Sequence, residues 1–294
     1  MTSFSLFDLI LFGALGILFI SVFYFSRSGY DLAPNNPRAF LAAHPSLRDQ
    51  AGPRERRLAV CAGDSITRGS ASVNYVSMLA ARLPDWDLVN AGVNAELAYN
   101  LAQRMDDIVA LDPDAVTILI GTNDVNATFG FRAALGYMAV KRLPEQPSAY
   151  FFRENLLGII RRLKKETRAR IALFSLPPIG EESGHYAYLR TEDYALIIKS
   201  LAKDEGIEYL PLRERLCAYL EALPPSAENP LGFRGFGAAQ LRAGRMQRYL
   251  GKSLDEVSAS NHFHLLVDGI HLNTHGASMA ADLGESFLRG SAAR

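Results

Sequence analysis

Short, continuous runs of hydrophobic residues alternate along this chain with longer stretches whose apolar positions recur at helical spacing. Residues 115–120, AVTILI, form the clearest run: it is rich in β-branched residues, uninterrupted and followed by a glycine, as a buried strand is. Continuous apolar strands are typical of parallel sheets covered by helices on both faces, so the pattern predicts an α/β fold. The predicted strands are residues 58–62, 87–90, 115–120, 170–176 and 207–210, and the predicted helices are residues 73–83, 97–111, 151–167, 188–204 and 274–288.

The N-terminal segment has a different composition from the rest of the chain. Residues 9–25 carry no charge and no proline, and at 1.5 Å per residue they span roughly 26 Å. Extended to residues 4–27, the segment is long enough to cross a hydrocarbon core of about 30 Å. A cleaved signal peptide is the main alternative, but no Lys or Arg precedes the apolar run and Ser26-Arg27-Ser28 is a poor cleavage site. We therefore expect an uncleaved transmembrane anchor and a single-pass membrane protein.

The orientation of this anchor is open from sequence. Arg27 and Arg38 follow the apolar run and no basic residue precedes it, which favours a cytoplasmic domain under the positive-inside rule. Residues 28–57 contain four prolines and many polar residues, so they are predicted to be a linker. Residues 58–294 form the predicted folded domain.

Two stretches interrupt the alternation of strands and helices. Residues 125–150 carry four widely spaced aromatic residues, and residues 222–262 include the glycine-rich sequence GFRGFG at residues 232–237. Long insertions of this kind often form lids or binding loops, although a mobile surface loop is an equally good interpretation. The glycine-rich sequence does not follow a predicted strand, which argues against a phosphate-binding loop.

Composition excludes several classes of function. Lys plus Arg and Asp plus Glu number 31 each among 294 residues, so there is no basic field for nucleic acid. Cys61 and Cys217 are too few for a disulfide framework and lack the spacing of metal ligands.

Three short motifs follow the first three predicted strands directly. They are GDSI at residues 63–66, NAG at residues 90–92 and GTND at residues 121–124. Ligands in open parallel sheets bind beyond the carboxyl ends of the strands, and with a strand order of 2-1-3 all three motifs converge there. A fourth motif, DGIH at residues 268–271, precedes the last predicted helix, which Asn273 or Thr274 is placed to cap.

These motifs contain the parts of a serine hydrolase. The Ser65 hydroxyl is a nucleophile once His271 takes its proton, and Asp268 is placed to hold the imidazole and stabilise its charged form. Backbone N–H groups and a side-chain amide can stabilise the oxyanion of the intermediate. For Asp64 and Asp124 we favour hydrogen bonding to turn backbone over a catalytic role.

The four motifs together resemble those of the SGNH/GDSL hydrolases, whose blocks are named for Ser, Gly, Asn and His. The resemblance covers roughly residues 58–288. It implies a three-layer α/β/α sandwich with a flavodoxin-like sheet, and it implies no metal or organic cofactor. It makes Ser65, His271 and Asp268 catalytic and assigns the oxyanion hole to Ser65 N–H, Gly92 N–H and the Asn123 side chain. One departure is Ala95, where many relatives have glycine, which puts loop shape and substrate fit in doubt.

The resemblance implies ester hydrolysis through an acyl-enzyme on Ser65. The alternatives are acyl transfer at the same site and a non-catalytic binding module at the membrane. A metal site of His262, His264, Asp268 and His271 is a further alternative, because His262 and His264 would face one side of a strand. The expected partner is a small-molecule, lipid or sugar ester, and many tethered relatives act outside the cytoplasm.

Overall fold

The computed structural model describes residues 32–45, 55–224 and 238–290, and its centre is a five-stranded parallel sheet. The strand order is β2-β1-β3-β4-β5, so the predicted 2-1-3 arrangement is confirmed and the carboxyl ends of the first three strands lie side by side. The strands are β1 (Arg57–Gly63), β2 (Trp86–Gly92), β3 (Ala115–Leu119), β4 (Arg170–Phe174) and β5 (Glu208–Leu210).

Helices cover both faces of this sheet. Successive residues of a strand point to opposite faces, and every residue of β3 is buried, as is every residue of β1 after Arg57. The helices are α1 (Pro37–Ala43), α2 (Ser65–Arg68), α3 (Tyr75–Arg82), α4 (Ala98–Gln103), α5 (Met105–Val109), α6 (Thr122–Asn126), α7 (Phe131–Lys141), α8 (Ala149–Glu166), α9 (Tyr186–Asp204), α10 (Leu212–Glu221), α11 (Ala238–Leu250), α12 (Leu254–Ser260) and α13 (Thr274–Arg289). Helix α13 packs against α3 and α10, whereas α8 packs against α4, α5 and α9. The sheet is therefore the middle layer of three.

Local sequence explains where these helices begin and end. The side chain of Asn273 caps α13 by accepting a hydrogen bond from Gly276 N–H. Of the two residues expected to cap this helix, Asn273 is therefore the cap and Thr274 is the first helical residue. The predicted helix at residues 97–111 is divided into α4 and α5 at Arg104. The guanidinium of Arg104 donates to Glu96 Oε2 at 2.7 Å and to the Ala91 carbonyl at 2.7 Å. This side chain thus joins the end of β2 to the turn that follows it.

Part of the segment expected to be a linker is folded onto the sheet. Helix α1 lies beside β2, where the Asn35 side chain donates to the Leu88 carbonyl at 2.8 Å and Asn90 N–H donates to the Asn35 carbonyl at 3.2 Å. The prolines misled the prediction because Pro37 occupies the first turn of a helix, where a missing N–H costs nothing. Asn36 caps this helix. An open linker over all of residues 28–57 is therefore wrong for residues 33–43.

The predicted anchor, residues 4–27, lies outside the described residues. Within residues 32–45, 55–224 and 238–290, no helix has the length and apolar character needed to cross a bilayer.

The two insertions differ in how they are built. The first, residues 125–150, contains α7, and its Tyr137, Met138 and Leu143 pack with Leu97 and Tyr99, which follow β2 in the chain. The second, residues 222–262, contains α11 and α12, and its glycine-rich sequence at residues 232–237 lies outside the described residues. Helix α12 is joined to the start of α13 because Asn273 Nδ2 donates to Ser258 Oγ at 2.9 Å.

Candidate active site

Ser65 is the first residue of α2, directly beyond the end of β1. Asp64 caps this short helix by accepting from Ile66 N–H at 2.9 Å. The preceding Gly63 leaves room for the turn, because a Cβ there would lie 2.3 Å from the Leu119 carbonyl oxygen. The N–H of Ser65 lies in the first turn, where a helix offers no intrahelical acceptor. The serine thus has its hydroxyl and its own N–H at the carboxyl edge of the sheet.

His271 reaches this serine from the opposite end of the chain. Its Nε2 lies 2.9 Å from Ser65 Oγ. The histidine sits on the loop before α13, which is closed by a hydrogen bond from Val267 N–H to the His271 carbonyl at 2.7 Å and by the Leu266–Leu272 bridge. The His271 side chain is 8% exposed, so it is largely shielded from bulk water.

Asp268 holds the other side of the imidazole. Its Oδ2 accepts from His271 Nδ1 at 2.8 Å, while its Oδ1 accepts from Ile270 N–H at 3.1 Å and His271 N–H at 3.0 Å. Burial acts to raise the pKa of Asp268, but the charge of His271 and these hydrogen bonds outweigh it and lower the pKa. Burial acts to lower the pKa of His271, and the charge and hydrogen bond of Asp268 outweigh it, so that pKa is raised.

The loop that carries Asp268 and His271 is held from below by Glu181. This carboxylate accepts hydrogen bonds from three consecutive backbone N–H groups, those of His264 at 2.8 Å, Leu265 at 2.8 Å and Leu266 at 2.9 Å. Nearby, Gly180 N–H donates to the Gly269 carbonyl at 2.7 Å. The sequence around Glu181 gives no sign of this role, because nothing in it marks a contact with a loop more than eighty positions away.

Asn123 lies at the start of α6, beyond β3, with its amide turned toward the same edge. Its Nδ2 donates to the Glu96 carbonyl at 3.0 Å and to Asp64 Oδ2 at 3.3 Å. Its Oδ1 accepts from the Tyr137 hydroxyl at 2.8 Å. The glycine before α6 is required, since Gly121 has a φ of 130° and a Cβ would lie 2.9 Å from the Phe152 ring.

Gly92 is placed differently from what the sequence predicted. Its N–H donates to Asn90 Oδ1 at 3.0 Å, so the structure does not present this donor to a substrate at Ser65. The glycine serves close packing instead, because a Cβ there would lie 2.2 Å from Arg68 N. The following turn carries Ala95, which is buried and has a φ of 57°. Within the described part of the chain, Ala95 N–H has no acceptor, and the next residue is the one whose carbonyl holds Asn123.

Two carboxyl groups are completely buried behind these residues. Burial raises the pKa of Asp64 to about 7, and it raises the pKa of Asp124 to about 7 as well. Asp64 bonds to its own turn, as expected. Asp124 instead accepts from Ala98 N–H at 3.1 Å, which joins α6 to the first residue of α4.

The metal alternative receives no support from the side chains that the structure describes. Among them, no group of three or more His, Cys, Asp or Glu residues is arranged to hold an ion. The backbone of His264 is bound by Glu181, and His262 has a φ of 57° at the end of α12.

The comparisons with known proteins agree with this fold. Residues 61–278 match the GDSL-like lipase/acylhydrolase family, whereas none of the curated proteins matches the chain. Three solved structures show the fold. An acetyl xylan esterase is 22% identical, with 79% of this chain and 99% of that chain covered and a TM-score of 0.54. An acetylxylan esterase from Geobacillus stearothermophilus is 18% identical, with 81% and 95% covered and a TM-score of 0.56. An α/β hydrolase from the metagenome of Lake Arreo, Spain, is 19% identical, with 81% and 97% covered and a TM-score of 0.55.

The parallel sheet and the family match define the class of this protein: it is a hydrolase that acts on carboxylic esters. The chain belongs to the GDSL-like lipase/acylhydrolase family.

Proposed function

We propose that this hydrolase cleaves esters through an acyl-enzyme on Ser65. The observation that carries the proposal is the continuous set of contacts from Ser65 Oγ through His271 to Asp268, at 2.9 and 2.8 Å. In the first step Ser65 Oγ attacks the carbonyl carbon while His271 Nε2 takes the hydroxyl proton. Asp268 stays ionised and stabilises the imidazolium. His271 then gives the proton to the departing alcohol, and water releases the acyl group by the same route.

The oxyanion of the tetrahedral intermediate requires donors next to Ser65 Oγ. We assign this role to Ser65 N–H and to Asn123 Nδ2, as the sequence predicted, and we transfer the role predicted for Gly92 to Ala95 N–H. Gly92 N–H is engaged by Asn90, whereas Ala95 is adjacent to the carbonyl that contacts Asn123. The amide contact to Asp64, at 3.3 Å, is the weaker one, and a charged oxygen can displace it.

A substitution series tests the nucleophile. Ser65→Ala should abolish labelling by a fluorophosphonate probe and lower kcat on p-nitrophenyl acetate by several orders of magnitude. Ser200→Ala is the matched control, because Ser200 is exposed on α9 and its hydroxyl donates to Asp204 on the same helix. Equal labelling of wild type and Ser65→Ala would overturn the proposal.

We further propose that the substrate is a short acyl ester of a carbohydrate. Two of the three solved relatives are described as acetyl xylan esterases, and the chain covers nearly all of their length. Turnover should then fall steeply from acetyl to octanoyl p-nitrophenyl esters, and acetylated xylooligosaccharides should release acetate. A preference for octanoyl esters would point to lipid substrates instead.

The membrane anchor at residues 4–27 remains a proposal supported by the uncharged run at residues 9–25. Resistance of the full chain to extraction by alkaline carbonate, lost when residues 4–27 are deleted, would support it. Protease protection of the C-terminus in sealed cells then distinguishes a cytoplasmic domain from an external one.

A further inference from the structure

The amide of Asn123 is held on three sides, and one of the three contacts comes from the first insertion. Glu96 and Asp64 accept from Nδ2, whereas the Tyr137 hydroxyl donates to Oδ1 at 2.8 Å. Burial raises the pKa of Tyr137 far above its usual value, so the hydroxyl keeps its proton in any assay buffer. Tyr137 belongs to α7 and not to any of the four sequence motifs.

These partners fix which way the amide points. If the amide were rotated by half a turn, Oδ1 would face the Glu96 carbonyl oxygen, which can only accept a hydrogen bond. The hydroxyl of Tyr137 stabilises the same orientation of the amide, because it donates a hydrogen bond to Oδ1. Two opposing requirements, one at each end of the amide, therefore set the direction of Nδ2.

Helix α7 is itself held firmly against the site. Lys141 Nζ, at the end of α7, donates to the Asn94 carbonyl at 2.8 Å, and Asn100 Nδ2 donates to the Lys141 carbonyl at 3.0 Å. The ring of Tyr137 also packs with the buried side chains of Leu97 and Leu143. Helix α7 thus contacts both the turn after β2, through Lys141, and Asn123 beyond β3, through Tyr137.

We propose that Tyr137 is a positioning residue that orients the Asn123 amide for oxyanion binding. The inference rests on the proposed function, and it makes the first insertion a supporting element of the catalytic site. Tyr137 does not touch the reacting atoms; it acts through Asn123. Loss of its hydroxyl leaves Oδ1 without a donor and lets the amide rotate away from the position it needs in the transition state.

The consequence is a specific kinetic pattern. Tyr137→Phe should lower kcat about 3- to 10-fold, which is the range that one neutral hydrogen bond is worth. KM should stay within twofold, because the ground-state ester carbonyl interacts weakly with the oxyanion donors. Binding of a boronic acid that forms a tetrahedral adduct on Ser65 should weaken by the same factor as kcat.

A double-mutant cycle on the full chain tests whether the effect passes through Asn123. We expect Tyr137→Phe to reduce kcat in the wild type and to have no further effect in Asn123→Ala. Tyr209→Phe is the matched control: it also removes a tyrosine hydroxyl, which donates to Glu214 at 2.7 Å beyond β5, and it should leave kcat unchanged. Rates are divided by the number of sites that a fluorophosphonate titrates, so unfolded protein does not contribute.

The outcomes separate the two proposals. Loss of kcat in Tyr137→Phe that is absent in the Asn123→Ala background supports the inference. An unchanged kcat, or an equal loss in both backgrounds, overturns the inference and leaves the nucleophile assignment intact. A wild type with no esterase activity and no labelling of Ser65 overturns the proposed function and this inference with it.

Discussion

Asp268 binds His271 with both of its carboxylate oxygens, one on the imidazole Nδ1 at 2.8 Å and one on the backbone N–H at 3.0 Å. The same three-residue turn therefore fixes the position of the imidazole and stabilises its protonated form. The raised pKa of His271 is a direct result, since the negative charge of Asp268 outweighs the effect of burial.

This pair predicts how activity depends on pH. In the proposed mechanism His271 must be neutral to accept the serine proton, so kcat/KM should rise with pH through a pKa that lies above the ordinary value of 6.5. In Asp268→Asn the stabilising charge is gone, so the acidic limb should move to lower pH while the plateau falls by several orders of magnitude. Profiles of kcat/KM between pH 4 and 9 measure both effects. Asp204→Asn, an exposed control, should keep the wild-type limb, and an unmoved limb in Asp268→Asn would contradict the assignment.

The buried carboxyl of Asp124 predicts how stability depends on pH. Burial raises its pKa from 3.8 to about 7 in the folded protein, so the folded state holds a proton that the unfolded chain releases. Stability contributed by the neutral carboxyl is therefore present below about pH 4 and is lost as pH rises toward 7. Asn at this position cannot ionise and can still accept from Ala98 N–H. The free energy of unfolding of Asp124→Asn minus that of wild type, from urea titrations, should therefore increase between pH 4 and 7.4, because only the wild type loses stability over this range. A constant difference across this range would show that Asp124 is ionised in the folded state.

The backbone conformation of Ala95 predicts that glycine at this position makes the protein more stable. Its φ of 57° lies in the left-handed region, which costs an alanine about 1–2 kcal/mol relative to glycine. Ala218 is exposed in the middle of α10, where glycine costs about 0.5–1 kcal/mol. We expect the free energy of unfolding of Ala95→Gly to be at least about 1 kcal/mol higher than that of Ala218→Gly, as measured by denaturant titration. Equal effects would show that the backbone at residue 95 is not left-handed.

Glu181 predicts a loss of both stability and activity. Glu181→Ala leaves the N–H groups of three consecutive residues without their acceptor, and one buried donor left in this way costs about 1–3 kcal/mol. The loop that carries Asp268 and His271 should become more mobile, and kcat should fall as a result. Glu181→Gln keeps the oxygen that binds Leu265 and Leu266 if the amide nitrogen faces away from them, so it should lie between wild type and Glu181→Ala. Thermal unfolding and kcat, measured on the same preparations, test the order of the three proteins.

The sequence was sufficient for the parts of this protein that local patterns determine. Continuous apolar strands predict the parallel sheet, and the motifs directly after β1 and β3 predict where Ser65 and Asn123 lie. The contact between Ser65 and His271 followed from the chemistry that a serine nucleophile requires. Each of these depends on residues that are adjacent in the chain or on the strand order.

The remaining features depend on packing between distant segments. Nothing around Tyr137 shows that α7 turns this hydroxyl toward Asn123, because a helical insertion without a marked apolar face can dock in several ways. The hydrogen bond from Gly92 N–H to Asn90 Oδ1 was not predicted for a similar reason, since the motif does not reveal that this side chain folds back onto the N–H two residues later. The linker prediction failed over residues 33–43, because prolines mark helix starts as well as extended chain.

The 206 positions between Ser65 and His271 have a consequence for synthesis of the protein. At 5–20 residues per second, a ribosome makes the serine roughly 10–40 s before it makes the histidine. Under the proposed mechanism, the Ser65 hydroxyl has no base throughout that interval, and a product that stops before His271 should be inactive. If His271 is the base, hydrolytic activity should begin only when the last part of the fold docks, and turnover then reports completed folding.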